Sequence, residues 1–514
     1  MRALKFLTFL VAFGVVAIVG MRIAFPLPES VEEASVVIPA NEKTLLGGAF
    51  LPMAQTHPGK SGVYPLEDGR DALIARLLLT RAAQESIDAQ YYIWQRDTTS
   101  WLLLEELRRA AERGVRVRLL LDDNGIPGLD NVLSAMNDLP TVEIRIFNPF
   151  TFRAPKLASY LFDFPRLNRR MHNKSMTFDG VATVIGGRNI GDIYFAYGDD
   201  HAYFDLDVLA VGPAATDVSD NFDLYWSSAS SYPAELVFPK SQDGLEELAR
   251  GVAEADQSVL GSSYTSGLTS SRMISQLANG ALDLEWTDVT LVSDDPAKGL
   301  GQAVSGDLLL ERLSGLLGRP KERIDIISAY LVPGAEGTKM IEGWLAEGIT
   351  TRLLTNSMEA TDVLPVHSAW MKYRDEIVRA GGEVIELRAQ PDIAPTAPLA
   401  QLLGGSLSSL HAKSFAVDNE QIFIGSFNFD PRSAALNTEM GFLIKSPRIA
   451  TGMVKAMDNR NTVYSVELSD NDDLVWIEQL GNGEVRTHTT EPGTTSWQRG
   501  MATFMSWLPI EWML

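Results

Sequence analysis

Between Gly69 and Ser86 ("GRDALIARLLLTRAAQES") apolar residues recur at helical spacing, and "SIDAQYYIW", Ser86 to Trp94, follows as a strand. "TTSWLLLEELRRAAERG" predicts a second helix closed by Gly114, and "VRVRLLLDD", Val115 to Asp123, a buried strand. Helix alternating with strand predicts an α/β layered structure. The same order returns later: helix in "DLLLERLSGLLGRP", strand in "ERIDIISAYLV", helix in "GTKMIEGWLAEGI", strand in "TTRLLTNS". This repeat, with a period of about 240 residues, pairs Asp88 with Asp325 and Gly114 with Gly348.

The repeat extends to "HNKSMTFDGVATVIGGRN", His172 to Asn189, and "HAKSFAVDNEQIFIGSFN", His411 to Asn428. Both read His-x-Lys-Ser, three residues, Asp, six residues, Gly, two residues, Asn. Further on, Asp205 and Glu439 each stand eight residues before a proline, with five extra residues in the first copy. The expected fold is therefore α/β, with two similar halves packed about a pseudo-twofold axis and a site at their interface. The expected boundaries are 1–25 for a signal anchor or signal peptide, 26–65 for a linker, 66–245 for the first half, 246–300 for a connection, 301–465 for the second half and 466–514 for a C-terminal segment.

Each copy reads as a β-hairpin, with the turn at Asp179-Gly180 in the first. Residues two apart on a strand share a face, so His172 points with Lys174 and His411 with Lys413. A lone His-x-Lys on a strand is usually surface decoration, whereas duplication with identical spacing in duplicated halves points to chemistry. Two His-Lys-Asn sets in one pocket suit an anionic phosphoryl group. Lys174, Lys413, Asn189 and Asn428 would bind its non-bridging oxygens. One histidine, neutral, would attack phosphorus, and the other, protonated, would serve the departing and incoming alcohols. Asp205 and Glu439 are the candidates to bond the far ring nitrogens and set tautomer and orientation. Asp179 and Asp418 sit at hairpin turns, which gives them a turn or anchoring role. No metal or other cofactor is required, because two lysines and a proton donor supply the positive charge, and zinc-type His/Glu spacing is lacking. His57, His201, His367 and His488 have no comparable setting and read as surface or structural.

The net charge of −22 argues against nucleic acid as partner, and the absence of cysteine excludes disulfides, thiol nucleophiles and Cys-ligated zinc. Arg2 and Lys5 precede 16 uncharged residues, Phe6 to Met21, as in a signal peptide or signal anchor that leaves the amino end cytoplasmic.

The paired His-x-Lys-x4-Asp motifs resemble the HKD signature of the phospholipase D superfamily, over about Leu66 to Pro447. "SIDAQYYIW", "GGRNIGD", "DLDVLAVGP", "GSFNFDPRSAALNTEMGFLI" and "SWLPIEWML" are similar to the C-type branch of bacterial cardiolipin synthases. The resemblance implies His172, Lys174, Asp179, His411, Lys413 and Asp418 as the catalytic signature. By the superfamily's usual order, His172 is the nucleophile and His411 the acid/base. Gly187 stands where Ser426 stands in the second half, so a serine contact to phosphate is open to one half only, with the Gly187 backbone as the alternative in the other. Arg432 is an extra phosphate or headgroup ligand, or else part of a structural salt bridge.

The implied function is phosphatidyl transfer through a phosphohistidine to a second phospholipid alcohol, with phosphatidylglycerol or phosphatidylethanolamine as substrates. The implied location is the inner membrane, with catalysis on the periplasmic face. Hydrolytic phospholipase D activity is the close alternative. A nuclease-type phosphodiesterase is disfavoured by the charge and the export signal, and a non-catalytic lipid-binding module by the intact duplicate sets. The stretch from Phe150 to Lys174, with Arg153, Lys156, Arg166, Arg169, Arg170 and Lys174 among aromatic residues, suits a lipid interface. "TFMSWLPIEWML" either dips into that interface or closes the core.

Overall fold

The computed structural model describes residues 2–28, 37–195, 203–258, 261, 276, 282–389, 409–480 and 483–514, with side chains in the first helix described at Phe9 and from Ala12 onward. Among these residues the chain forms two large mixed sheets, of nine and ten strands. Six strands run in the same order in both. In the first sheet the order is Asp207–Val211, Ala182–Gly186, Ser175–Phe178, Ser86–Ile93, Arg116–Gly125 and Val142–Phe147; in the second it is Met440–Ile444, Gln421–Gly425, Lys413–Val417, Arg323–Ser328, Thr350–Asn356 and Glu383–Leu387. The last three of each set are parallel and the rest antiparallel.

The repeated aspartates act alike. Asp88 accepts from Nε and Nη2 of Arg118 on the next strand (2.6 and 2.8 Å), and Asp325 accepts from Nε of Arg352 at 2.5 Å. These pairs hold the parallel strands in register at the end remote from the histidines. The halves meet through a shared apolar layer in which Val63, Ile185, Val208 and Ala210 of the first sheet pack with Ile422, Ile424, Met440 and Phe442 of the second.

Ordered elements lie in three of the segments expected outside the two halves. The 26–65 linker contains a helix, Leu45–Gln55, and runs into a strand, Ser61–Leu66, that pairs with Asp207–Val211. Two glycines and a proline in that helix blur its periodicity. The connection at 246–300 also belongs to the fold: Glu285–Thr287 joins the first sheet and Val289–Ser293 the second, so the chain crosses between sheets at Asp288. Beyond 466, two further strands extend the second sheet, and the helix Ser496–Ser506 packs on the helix Leu364–Arg379.

The N-terminal apolar stretch forms the helix Arg2–Ala24. Among the described residues no helix is long and apolar enough to cross a membrane. That helix ends against the segment preceding His172: Arg22 donates to Phe162 O (2.9 Å) and pairs with Asp163 (3.0 Å), and the rings of Phe25 and Phe152 meet edge to face.

Candidate active site

Each histidine is held from both halves. In its own half, the end of the middle parallel strand grips the chain just ahead of it. Met171 N donates to Asp122 Oδ2 (2.8 Å), and Leu410 N donates to the equivalent Asn356 Oδ1 (2.8 Å). From the other half, His172 N donates to Thr438 O (2.9 Å) and His411 N to Phe204 O (2.8 Å). Thr438 and Phe204 immediately precede Glu439 and Asp205. The same backbone contact that places a histidine therefore delivers a carboxylate to it.

The carboxylates are exchanged between halves. Glu439 Oε2 lies 2.9 Å from His172 Nδ1, and Asp205 Oδ2 lies 2.6 Å from His411 Nδ1. Both orienting candidates reach a histidine, each that of the opposite half. An ionised carboxylate on Nδ1–H leaves the Nε2 lone pair free to act.

The two halves differ in how the carboxylate is backed. Ser426 donates to Glu439 Oε2 (2.5 Å) and also accepts from Met440 N (3.0 Å). The serine expected on phosphate thus bonds the carboxylate of Glu439. In the first half the shorter Asp205 fills the corresponding place: a Cβ at Gly187 would stand 2.1 Å from Asp205 Oδ1. Glycine there is a condition for seating the carboxylate.

Lys174 Nζ donates to His172 O (2.6 Å), and Lys413 Nζ donates to His411 O. Asn189 Oδ1 accepts from Ile93 N (3.1 Å), which fixes its amide. Asn428 Oδ1 is buried without a partner among the described residues. A flip exchanges an amide's oxygen and nitrogen, so a donor can occupy the same place.

Asp179 and Asp418 are not brought into this pocket. Each lies at the far end of its hairpin, five residues and so roughly 16 Å along an extended chain from the lysine. Their backbones are left-handed (φ 50° and 54°). Asp179 accepts from Gln84, Glu85 and Ser86 N–H, and Asp418 from Lys321, Glu322 and Arg323 N–H. These bonds anchor the strand beside each hairpin, the turn or anchoring role expected from the position of the two aspartates, and leave both outside the His-Lys pocket.

Arg432 forms no salt bridge among the described residues, and its charge reaches His172. It donates to Asn168 Oδ1 and O and to Met513 O, tying the C-terminal turn to the approach to His172. The basic stretch before His172 is also spent internally. Arg153 and Lys156 pair with Asp123, Arg166 with Asp163, and Arg170 with Asp122. What this stretch turns outward is apolar, with Leu157 and Leu161 at 75% and 80% exposure.

Burial dominates the electrostatics. It pushes the His172 imidazole well below its usual value, with Lys174, Lys413 and Arg432 adding to the effect. His411 falls to about 3 through burial and Lys413, against the pull of Asp205. The ammonium groups of Lys174 and Lys413 are pushed down by burial as well. Each lysine acts on both histidines, so the two sets share one field. Burial pushes Glu439 up to about 7 despite Lys174 and the Ser426 bond. Burial pushes Asp205 up too, but His411, Lys413 and Arg188 overcome it and hold the carboxyl down at about 2. An anionic phosphodiester between the lysines favours every cation in the pocket.

Sequence reasoning missed an aromatic wall. Tyr92 meets His172 edge to face with centroids 5.0 Å apart, and Lys174 lies over the same ring. Tyr203 stacks on His411 at 5.2 Å and 8°, while Tyr194 meets it edge to face at 5.1 Å. Tyr92 in "SIDAQYYIW" was visible only as a strand residue, and Tyr203, two residues before Asp205, carried no signal of its own. Of the remaining histidines, His57 stacks on Trp286, His367 is buried near Glu491, and His488 bonds Glu478. His201 lies outside the described residues.

Paired His-Lys sets on duplicated α/β halves define a phosphoryl-transfer site of the phospholipase D type. The model of the family "Cardiolipin synthase, PLD-like domain" matches residues 78–226 and 313–460. The chain belongs to this family. It is 42% identical to cardiolipin synthase C of Escherichia coli over 91% of this chain and 99% of that protein. It is 33% identical to an uncharacterized protein of Helicobacter pylori over 79% of this chain and 80% of the other. Among solved structures, phosphatidylserine synthase of Haemophilus influenzae shares the fold, with a TM-score of 0.52 at 15% identity, covering 81% of this chain and 92% of that one.

Proposed function

We propose that the protein moves a phosphatidyl group from one phospholipid to the hydroxyl of another, making cardiolipin through a phosphohistidine on His172. Family membership gives the class, a phospholipase D-type phosphatidyltransferase acting on phospholipids in association with a membrane. The observation that carries the proposal is the exchanged pairing of His172 with Glu439 and His411 with Asp205.

His172 Nε2 attacks phosphorus, and the bond from phosphorus to the headgroup oxygen breaks. His411 gives its Nε2 proton to that oxygen, and the alcohol leaves. The incoming hydroxyl then gives its proton to His411 and attacks phosphorus, the N–P bond breaks, and His172 is restored. Lys174 and Lys413 hold the non-bridging oxygens throughout, with Asn189 and Asn428 closing on them. The division of roles is supported by the carboxylates. Asp205, firmly ionised, favours an imidazolium on His411 once a bound phosphodiester offsets the burial and the Lys413 charge that hold it down, whereas Glu439, titrating about 7, gives less support to a charge on His172, as a neutral nucleophile requires.

Phosphatidylglycerol is the proposed acceptor, with phosphatidylglycerol or phosphatidylethanolamine as donor. The inner membrane with catalysis on its periplasmic face is the proposed site of action, and residues 1–25 act as signal or anchor. That placement is supported by Arg2 and Lys5 ahead of the apolar stretch and by the docking of its helix on the segment carrying exposed Leu157 and Leu161. The test is lipid extraction from a cardiolipin-free bacterium expressing wild type, His172→Ala or His411→Ala. Cardiolipin is expected with wild type alone. Phosphatidic acid in its place would assign hydrolysis, and unchanged lipid in all three strains would overturn the proposal.

A further inference from the structure

On the His411 side of the pocket the aromatic wall ends in a carboxylate that the transfer chemistry does not use. Tyr203, whose ring stacks on His411, points its hydroxyl at Asp362 Oδ2 (3.4 Å), and Tyr330 donates to the same oxygen (2.9 Å). Asp362 reaches solvent at the rim, although the atoms crowded round its carboxyl raise it above the usual carboxylate range against the bonds from Tyr330 and the charge of Lys413; its own charge is felt by Lys413, Tyr194 and Tyr203. Among the described residues, no lysine or arginine forms an ion pair with it.

Two features make this more than a support for tyrosines. First, a pocket built to collect a phosphate anion is weakened by a carboxylate at its rim, unless a donor or a cation of the ligand lies between them. Second, an acid without a basic partner stands on this side alone among the described residues: Asp122, whose charge reaches Tyr92 and Lys174 on the His172 side, is paired with Arg170 (2.7 Å). On the His172 side the equivalent wall residue, Tyr92, has its hydroxyl bonded by the neutral Asn124 amide (3.2 Å). The carboxylate thus stands where a headgroup alcohol gains or loses its proton, and not where phosphorus is attacked.

We infer that Asp362, with the hydroxyls of Tyr203 and Tyr330, is a headgroup subsite that takes the hydrogen-bond-donating end, ammonium or hydroxyl, of the alcohol portion of a phospholipid. This rests on the phosphatidyl-transfer reading with His411 as acid/base, and it adds a specificity-determining residue to it. An ammonium gains more from a carboxylate than a hydroxyl does, because the bond is between two charges. A second outcome of the geometry is orientation: a headgroup held at Asp362 lays its ester oxygen beside the Tyr203 and His411 rings.

The test uses the purified full-length protein in mixed micelles, with phosphatidylethanolamine or phosphatidylglycerol as the varied lipid, comparing wild type with Asp362→Asn and Tyr330→Phe. Asparagine keeps the shape and removes the charge. For Asp362→Asn the expected result is a KM for one lipid raised about tenfold, with the other changed by less than about threefold and both kcat values within about twofold. Selective loss with the ethanolamine lipid identifies the ammonium as the ligand, and selective loss with the glycerol lipid identifies the hydroxyls. Tyr330→Phe should shift the same KM in the same direction by a smaller factor. An equal fall in kcat for both lipids means that Asp362 only steadies Tyr203, and this overturns the inference, as does no change in either constant. A wild type inactive with both lipids defeats the transfer reading itself, so the two failures are distinct.

Discussion

Replacing Gly187 by serine copies into the first half the residue that Ser426 supplies in the second, and it should damage the site. The added Cβ stands 2.1 Å from Asp205 Oδ1 and 2.8 Å from its Cγ. Non-bonded heavy atoms do not approach so closely, and the carboxylate must retreat by about 1 Å. The bond from His411 Nδ1, now 2.6 Å, then lengthens to about 3.5 Å, where a hydrogen bond is lost. A charge-assisted bond contributes about 1.5–3 kcal/mol. If it is needed in the transition state, kcat falls by about 10- to 150-fold at roughly 1.4 kcal/mol per decade. Initial rates of phosphatidyl transfer in mixed micelles measure the loss, and thermal unfolding verifies that the variant folds. Adding Asp205→Glu to Gly187→Ser recreates the Ser426–Glu439 arrangement and should recover about tenfold of the loss. A folded Gly187→Ser protein with kcat within about threefold of wild type would refute the claim that Asp205 must sit on His411.

The pH profile should carry the signature of Glu439. Its buried carboxyl, raised to about 7, is protonated below that pH and cannot accept from His172 Nδ1–H, so kcat/KM should rise as pH increases through about 7. Glu439→Gln should remove that limb; a wild-type profile flat from pH 6 to 8 would contradict the assignment. Asp179→Ala deprives three backbone N–H groups of their acceptor and should cost about 2–3 kcal/mol of stability by denaturant melt. The rate per folded molecule should stay near wild type, and a comparable loss of rate without loss of stability would return Asp179 to the catalytic group. Chelators should leave the rate unchanged, since Lys174 and Lys413 supply the positive charge; loss restored by added zinc or calcium would defeat that mechanism. Leu157→Asp with Leu161→Asp should weaken vesicle binding by about tenfold or more while sparing activity on short-chain lipids, as placing charges on an apolar contact with lipid predicts.

The duplicated halves and both hairpins were legible because they rest on local periodicity and on identical spacing around His172 and His411. The turns at Asp179 and Asp418 were legible for the same reason, and the anchoring role follows from it. Asp205 and Glu439 were found by aligning the copies, but which histidine each serves was not, because the contacts span 206 and 267 positions and no local pattern encodes them. The basic stretch before His172 misled for a related cause: its acidic partners Asp122, Asp123 and Asp130 lie on another part of the first half. Composition counts charges along a segment, whereas pairing depends on what the fold places opposite. Ser426 was assigned to phosphate because its motif position was visible, whereas its bond to Glu439 depends on the pairing of the strands Gln421–Gly425 and Met440–Ile444, which the motif does not encode. The segment 26–65 hid a strand because Pro65 and the preceding glycines mask the pattern that pairing with Asp207–Val211 imposes.

The exchange of carboxylates makes this chain indivisible as a catalyst although it is double as a fold. Cut at Asp288, where it passes from one sheet to the other, each fragment keeps a histidine whose partner is on the other piece. Neither fragment is half an enzyme; activity would appear only on reassembly, as in a split reporter. The same wiring sets the genetics. Lesions at His172 and Glu439 fall in different halves yet strike one device, so their combined cost should not exceed the larger alone.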